Sequence, residues 1–514
     1  MNNHLVTNRS NQSVLFSQRA WKLPPLGMTA TVIIYLLLSI GLAVMMSFPT
    51  LLPVAGLIGA ITINLVVLLF VRSEAALPLY LVVAGPSVSL SLSSSGILSR
   101  LYIGNLLFFL LTVIWILTRL LPERKAGRWI LTPALLFPLL SLIAVGLISI
   151  IFSRLFPDPN VTYSFPHVST SIWVVNAAEM MLLIGLPMFL VVVPGVVHTV
   201  RHVRWVIAAY MIVGAMYALG TIFAAPLGLY SKEVILGIRR PQVFGAVSSG
   251  LGTLLVLFVS IAFCQVLYTK AKGARIFWGL LTALFSVGVI MTIGRESWVA
   301  LFLAFITIII VYTKNWVVPV LVIVPLIPFL LFTGATNFFD PAQTYGTDRF
   351  VIWQDAINIW QLSPFIGIGA GNYQFFDIAY GKDVVGIAHN QYLQVLAEMG
   401  LLGFTCLLWI MGATAWICVK CFRKARTALG KSLALAYLAY FISIIFGGFF
   451  TSSFVPSAAD GGGTEAFVSA SYRWLLFGLV LSIANWEGEP EEADEIPSDS
   501  KQDDPKQQTL LAAK

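Results

Sequence analysis

Four arginines and one histidine carry the side chains best suited to chemistry on a polar substrate: Arg239, Arg240, Arg295, Arg349 and His389. A guanidinium binds phosphate through two parallel hydrogen bonds and stays charged at any working pH. An imidazole titrating near pH ~6.5 can take a proton from a hydroxyl at neutral pH. Together they suit a reaction that holds a phosphorylated group while a hydroxyl is activated beside it. Their settings differ. Arg239-Arg240-Pro241 directly precedes an apolar span beginning near Gln242, and Arg295 lies in Thr292-Ile-Gly-Arg-Glu-Ser-Trp298, a tight link between two spans. Arg349 follows Thr347-Asp348 at the start of a helix, and His389 stands before Asn390, Gln391 and Tyr392 at the mouth of another span. Asn390, Tyr392 and Trp353 are supporting residues.

Each group alone also has a plainer role. An arginine can snorkel to the interface or pair with Glu296 or Asp348, and the histidine can be an interfacial hydrogen-bonding residue. Placing arginine at membrane depth costs roughly 2.5–3.5 kcal/mol, and three groups on one face weaken the plain reading. A phosphate-bearing lipid headgroup is the natural ligand.

The rest of the chain must position these groups within a bilayer. The 514 residues are 58% hydrophobic and 11% charged, with mean hydropathy +0.88; soluble domains average about 25% charged residues. Apolar runs long enough to cross a bilayer recur, and they are continuous rather than alternating, which excludes a barrel. The fold expected is an all-α, polytopic helical membrane protein. Spans fall near 28–48, 50–71, 75–92, 101–121, 129–152, 172–193, 203–225, 242–268, 275–293, 297–313, 315–333, 391–419, 431–455 and 467–485, giving twelve to fourteen once the short runs 75–92 and 297–313 are weighed.

Orientation follows the lysine and arginine bias of short loops. With the N-terminus in the cytoplasm, nineteen basic residues lie inside and nine outside. This reading makes 1–27 a cytoplasmic segment, 28–333 and 391–485 the helical spans, and 334–390 one large extracytoplasmic loop. The segment 486–514, with nine acidic and three basic residues, is too polar to bury surface and is expected to be a disordered cytoplasmic tail. The excess of basic charge elsewhere is that of a protein facing anionic lipid, and nucleic acid is not an expected partner.

Within the large loop, residues 347–362 read as an amphipathic surface helix with Thr347 as N-cap, Ser363-Pro364 as terminator, and an apolar stripe of Phe350, Trp353, Ile357 and Trp360. An anchor without chemical role fits the same pattern. Gly367-Ile-Gly369-Ala-Gly371-Asn372 lacks the strand and spacing of a nucleotide loop and is expected to let backbone approach a substrate. The four cysteines all fall in spans, so no disulfide framework is expected. Cys418-Val-Lys-Cys421 and the His198/His202 pair lack the partners of a metal site.

The ordered pieces resemble the O-antigen ligase/polymerase family, polytopic enzymes that move lipid-linked glycans on the outer face of the bacterial plasma membrane. They are Arg240…Gly245, Ile293-Gly-Arg-Glu-Ser297, Arg349-Phe-Val-Ile-Trp353, Ser363-Pro-Phe-Ile-Gly-Ile-Gly369, Ala388-His-Asn-Gln-Tyr-Leu-Gln394 and Glu398-Met-Gly-Leu-Leu-Gly403. The resemblance covers about 240–405. It implies a polyprenyl-diphosphate-linked glycan donor and a glycan or glycolipid acceptor. Arg240, with its neighbour Arg239, and Arg349 would grip the diphosphate, Arg295 would help, and His389 would take the acceptor proton in an inverting transfer with no cofactor or metal. A metal-dependent variant using two of Asp348, Asp355, Asp377 and Asp383 stays open. The acceptor, whether lipid A-core, another repeat unit or a protein serine or threonine, is not separable by motif. The alternative is a transporter or flippase of the same lipids.

Overall fold

The computed structural model describes residues 75–85, 103–120, 132–162, 171–235, 238–244, 246, 248–315, 317, 349–382, 386–452, 454–457 and 465–487. The spans expected at 28–48, 50–71 and 315–333 lie outside these residues, as do Thr347, Asp348 and nearly all of the tail.

The described chain is a polytopic helical membrane protein. In order it forms α1 (Ala76–Ala84), α2 (Ile103–Leu120), α3 (Pro133–Leu155), α4 (Ile172–Val196), α5 (Val200–Ile222), the single turn α6 (Ala224–Leu227), strands β1 (Tyr230–Ile235) and β2 (Ile238–Pro241), then α7 (Ser248–Tyr268), α8 (Lys272–Met291) and α9 (Arg295–Thr313). It continues with α10 (Arg349–Leu362), α11 (Tyr373–Tyr380), α12 (Gln391–Lys424), α13 (Ala428–Gly447), α14 (Glu465–Leu481) and the short α15 (Ile483–Trp486). Among the described residues eight helices are long and apolar enough to cross a membrane. α9 is one of them, so the short run 297–313 belongs to a helix of sufficient length and apolarity to be a span.

Local sequence explains where these helices start. Ser171, Thr199 and Thr427 each cap the following helix, accepting from Trp173 N, His202 N and Gly430 N, and Pro133 opens α3 where its missing N–H costs nothing. α7 and α13 are buried almost all round, while α8 turns Ile276, Phe277 and Leu280 outward. Helices are tied across the interior by polar pins: Tyr210 Oη donates to Tyr472 O at 2.6 Å, Gln265 Nε2 to Ser432 Oγ at 2.9 Å and Ser443 Oγ to Ala300 O at 2.8 Å. In lipid such bonds replace the hydrophobic drive that water would supply.

Four features depart from expectation. First, Arg239 and Arg240 sit in an antiparallel hairpin, with Val234 opposite Arg239 and Ile235 opposite Ile238, and α7 begins only at Ser248. Between them the chain closes a tight turn, Ala246 N donating to Val243 O at 3.0 Å with Phe244 at φ 51°.

Second, α12 is broken. Gly400 lies at φ 64°, ψ −166°, inside what hydropathy reads as one continuous span. The backbone groups freed by the break pair with the segment after α10: Ile368 N donates to Ala397 O (3.0 Å), Gly369 N to Glu398 O (2.9 Å), and Leu401 N to Pro364 O (2.9 Å). Irregular backbone at membrane depth is tolerated where protein satisfies it.

Third, the glycine turn is therefore spent on the protein's own backbone rather than on a substrate. A Cβ on Gly367 would collide with the Glu398 carbonyl, and one on Gly400 with that of Phe365.

Fourth, α10 has a second, buried face of Ile352, Asp355, Ala356 and Ile359, distinct from the aromatic stripe, of which Phe350 is 66% exposed. Phe375, Tyr373 and Ala397 of α11 and α12 pack with Ala356 and Ile359, and Trp360 of the stripe packs against the same cluster. At the other end of the chain, Trp486 is buried and Glu487 accepts from Arg426 N at 2.8 Å and Thr427 N at 3.0 Å. Trp486 and Glu487, the first two residues of the segment expected to be tail, are thus held by the bundle.

Gly400→Ala and Gly367→Ala should each destabilise the protein by at least about 2 kcal/mol, since both combine positive φ with a backbone collision. Gly279→Ala, on α8 with nothing within 4 Å of the added carbon, should change stability by less than about 1 kcal/mol. Thermal unfolding in detergent checks the contrast.

Candidate functional site

Contacts bring the β-hairpin before α7, the turn before α9, the start of α10, the 386–391 loop before α12 and the segment after α13 together at one end of the bundle. That end holds the candidate site.

The arginines converge there. Arg240 Nη2 pairs with Glu296 Oε1 at 4.0 Å, both side chains mostly buried. Glu296 stands in the first turn of α9, beside Arg295. Arg349 begins α10, donates from Nη1 to Phe450 O at 3.1 Å and lies over the Phe450 ring at 5.8 Å. Burial lowers the pKa of this guanidinium; Glu296 opposes the shift, and Arg295 and Arg240 add to it. Arg240, Arg295, Arg349 and Glu296 therefore form one electrostatic cluster. A single pair at 4.0 Å attracts by about 4 kcal/mol at an effective dielectric near ~20, but one carboxylate cannot neutralise three guanidiniums. Arg239 is separated from the others. Successive strand residues face opposite ways, and Arg239 is exposed where Arg240 is half-buried.

His389 stands beside Arg349. Burial, then the Arg349 charge, pushes its imidazole pKa down to about 4, so the ring is a neutral proton acceptor at pH 7. The loop that presents it is pinned at close intervals. Gly386 N donates to Asp377 Oδ2 (2.7 Å), Ala388 N to Gln394 Oε1 (2.8 Å), and Gln391 N to Gly448 O (2.8 Å). His389 itself is held at φ 46°, a left-handed conformation uncommon outside glycine. Phe244 and Ile293, near Arg240 and Arg295, share that backbone class at φ 51° and 55°. Strained residues persist only where surroundings over-determine them, and of the four non-glycine residues at positive φ among the described residues, the fourth being Lys314, these three flank the cluster.

The supporting residues have identifiable contacts. Asn390 caps α12, its Oδ1 accepting from Tyr392 N (3.0 Å) and Leu393 N (3.2 Å). Tyr392 Oη donates to Ile445 O at 2.6 Å and its ring packs on Phe449. Trp353 packs edge-on against Phe350, and its buried Nε1 has no hydrogen-bond partner. Asp355 and Asp377 receive loop N–H groups, from Lys382 at 2.8 Å and Gly386 at 2.7 Å, while Asp348 and Asp383 fall outside the described residues. Among those residues no group of three or more His, Cys, Asp or Glu is placed to hold a metal ion.

Several contributors were not read from the sequence. The segment after α13 walls the site: besides Phe450, Phe454 N and Val455 N donate to Gln391 Oε1. Behind His389, Gln394 Nε2 donates to Glu398 Oε1 at 2.8 Å, which also accepts from Tyr373 N at 3.2 Å. A small cavity of about 10 Å³, lined in part by Glu179, Gln391, Gln394, Glu398, Ser452 and Ser457, has room for about one water. The signal for this polar face was present: 391, 394 and 398 follow the three- and four-residue steps of one helix side.

Residues 280–408 match the family model for O-antigen ligase. The matched stretch contains Arg295, Glu296, Arg349, Trp353, His389, Asn390, Tyr392, Gln394 and Glu398, and it supports the resemblance to the O-antigen ligase/polymerase family. Arg240 precedes it and joins the cluster through space, by way of Glu296. A search of curated proteins finds no match.

Replacing Arg349 by Gln removes a positive charge from the neighbourhood of His389, which favours the imidazolium. The His389 pKa should rise from about 4 but stay below ~6.5, because burial is the larger cause. Histidine NMR in detergent, with His389→Ala to assign the signal, measures it.

Proposed function

We propose that the protein is a glycosyltransferase that moves a glycan from a polyprenyl diphosphate to an acceptor hydroxyl at the outer face of a bacterial plasma membrane. The observation that carries this reading is the gathering of Arg240, Arg295 and Arg349 around one carboxylate, next to a neutral His389. The O-antigen ligase match supports ligase- or polymerase-type transfer. The opposite end of the bundle carries Arg201 and Arg204 in the first turns of α5, Lys270 and Lys272 at the link between α7 and α8, and Lys314 after α9, and the positive-inside rule favours that end as the cytoplasmic one.

In the proposed reaction the acceptor oxygen attacks the anomeric carbon from the face opposite the diphosphate. Its proton passes to the imidazole nitrogen of His389. The bond between C1 and the phosphate oxygen breaks, its electron pair leaves with the polyprenyl diphosphate, and the single displacement inverts C1. Arg240 and Arg349 hold the phosphates, with Arg295 adjoining, so positive charge stands where negative charge develops. That supplies the stabilisation without a metal. Lipid A-core or a second repeat unit is the acceptor class.

The transport alternative draws on the break at Gly400 and on buried Glu179 and Glu398, features that transporters use at their binding sites. Here the break is closed by the 364–369 segment and Glu398 is engaged by Gln394 and Tyr373 N. Transfer is the better account.

Purified protein with a lipid-linked oligosaccharide and candidate acceptors should transfer glycan, and His389→Ala or Arg349→Ala should lower the rate at least about 100-fold with folding intact. Unchanged rates remove these residues from the mechanism, and inhibition by chelation counts against the metal-free form.

The pH profile follows from the sign of the histidine shift. The base must be neutral, so the acid limb of kcat/KM should fall near pH 4, the free-enzyme value. A bound diphosphate favours the imidazolium, so the acid limb of kcat should lie at higher pH than that of kcat/KM.

A further inference from the structure

We infer that Gln394 and Glu398 are positioning residues for His389, fixing the backbone of the loop that presents the imidazole. The inference rests on the reading of His389 as the base.

Three bonds make a one-way chain. Ala388 N can only donate, and it donates to Gln394 Oε1 at 2.8 Å. The Gln394 amide therefore turns its nitrogen the other way, towards Glu398 Oε1 at 2.8 Å. The carboxylate oxygen accepts that bond and a second from Tyr373 N at 3.2 Å. The backbone N–H groups of Ala388 and Tyr373 at the two ends of the chain can only donate, so they admit one orientation of the glutamine amide between them. Gln394 and Glu398 are each 3% exposed, and a buried group left unpaired is costly. Ala388 immediately precedes His389, whose φ of 46° needs external restraint. Glu398 sits two residues before the break at Gly400, and its own carbonyl accepts from Gly369 N. The pair thus couples the broken helix, the glycine turn and the start of α11 to the loop carrying the histidine. Arg349 of α10 is the charged group acting on that histidine from a packed element.

The test uses the full-length protein in detergent. Gln394→Leu removes both ends of the link without adding charge. It should lower kcat by about 10–100-fold, the cost of a small misplacement, with the donor KM within two-fold. The His389 pKa read by NMR should rise towards ~6.5 as the loop relaxes. The exchanged pair Gln394→Glu with Glu398→Gln keeps an acceptor for Ala388 N and restores a donor–acceptor bond in the reverse direction. It should recover kcat to within a few-fold, whereas Gln394→Glu alone sets two carboxylates together and should not.

Wild-type kcat and an unmoved His389 signal in folded Gln394→Leu overturn the inference. So does a loss of kcat with the histidine signal unmoved, or an exchanged pair that folds and stays inactive. If Gln394→Leu does not fold, the comparison of Gln394→Glu with the exchanged pair decides. Transfer retained by His389→Ala instead refutes the proposed base, and the NMR arm still judges the positioning by itself.

Discussion

Mutual repulsion among Arg240, Arg295 and Arg349 is the constraint on which the site depends. Among the described residues their guanidiniums share a partly buried region with the Glu296 carboxylate, and the field of the first two is felt at the third. Left alone, such a cluster disfavours its own folded geometry. The Phe450 carbonyl and ring relieve part of the cost at Arg349. An anion with two phosphates would relieve the remainder, while burial first, and the Arg349 charge second, keep the neighbouring imidazole uncharged. In the proposed reading Arg349 thus serves both the diphosphate and the proton acceptor.

Holding like charges together requires rigid elements, and the fold provides them in an unusual place. The turn 364–372 is laid against the broken α12 and clamped from the other side by α3 and α4. There Ala370 N donates to Ser149 Oγ (3.1 Å), Asn372 Nδ2 to Ser153 Oγ (3.1 Å) and Asn176 Nδ2 to Asn372 Oδ1 (2.8 Å). The turn in turn fixes α11, and α11 supplies Asp377 to the loop of His389. Stability and site geometry thus share the same hydrogen bonds.

The sequence made the spans legible because continuous apolar runs have few alternatives in lipid. It made the arginines and His389 legible because charged groups beside such runs are few. The hairpin carrying Arg240 was not legible: strands of six and four residues give no period to read and merge into the following apolar run. The break at Gly400 was hidden for a related reason, since hydropathy does not register a change of backbone angle. The aromatic stripe of α10 was legible by its spacing, but the buried face of Ile352, Asp355, Ala356 and Ile359 was not, because spacing identifies one face without saying which neighbour supplies the interior. Arg239 and Arg240 are equal in sequence and become unequal only through strand alternation.

The most direct measurement is a cryo-EM structure of the full-length protein with a polyprenyl diphosphate bound. The account predicts phosphate oxygens within about 3 Å of guanidinium nitrogens of Arg240 and Arg349, with the bond to be broken directed towards His389. A diphosphate seated at the opposite end of the bundle, or bound at this end away from these arginines, would contradict it.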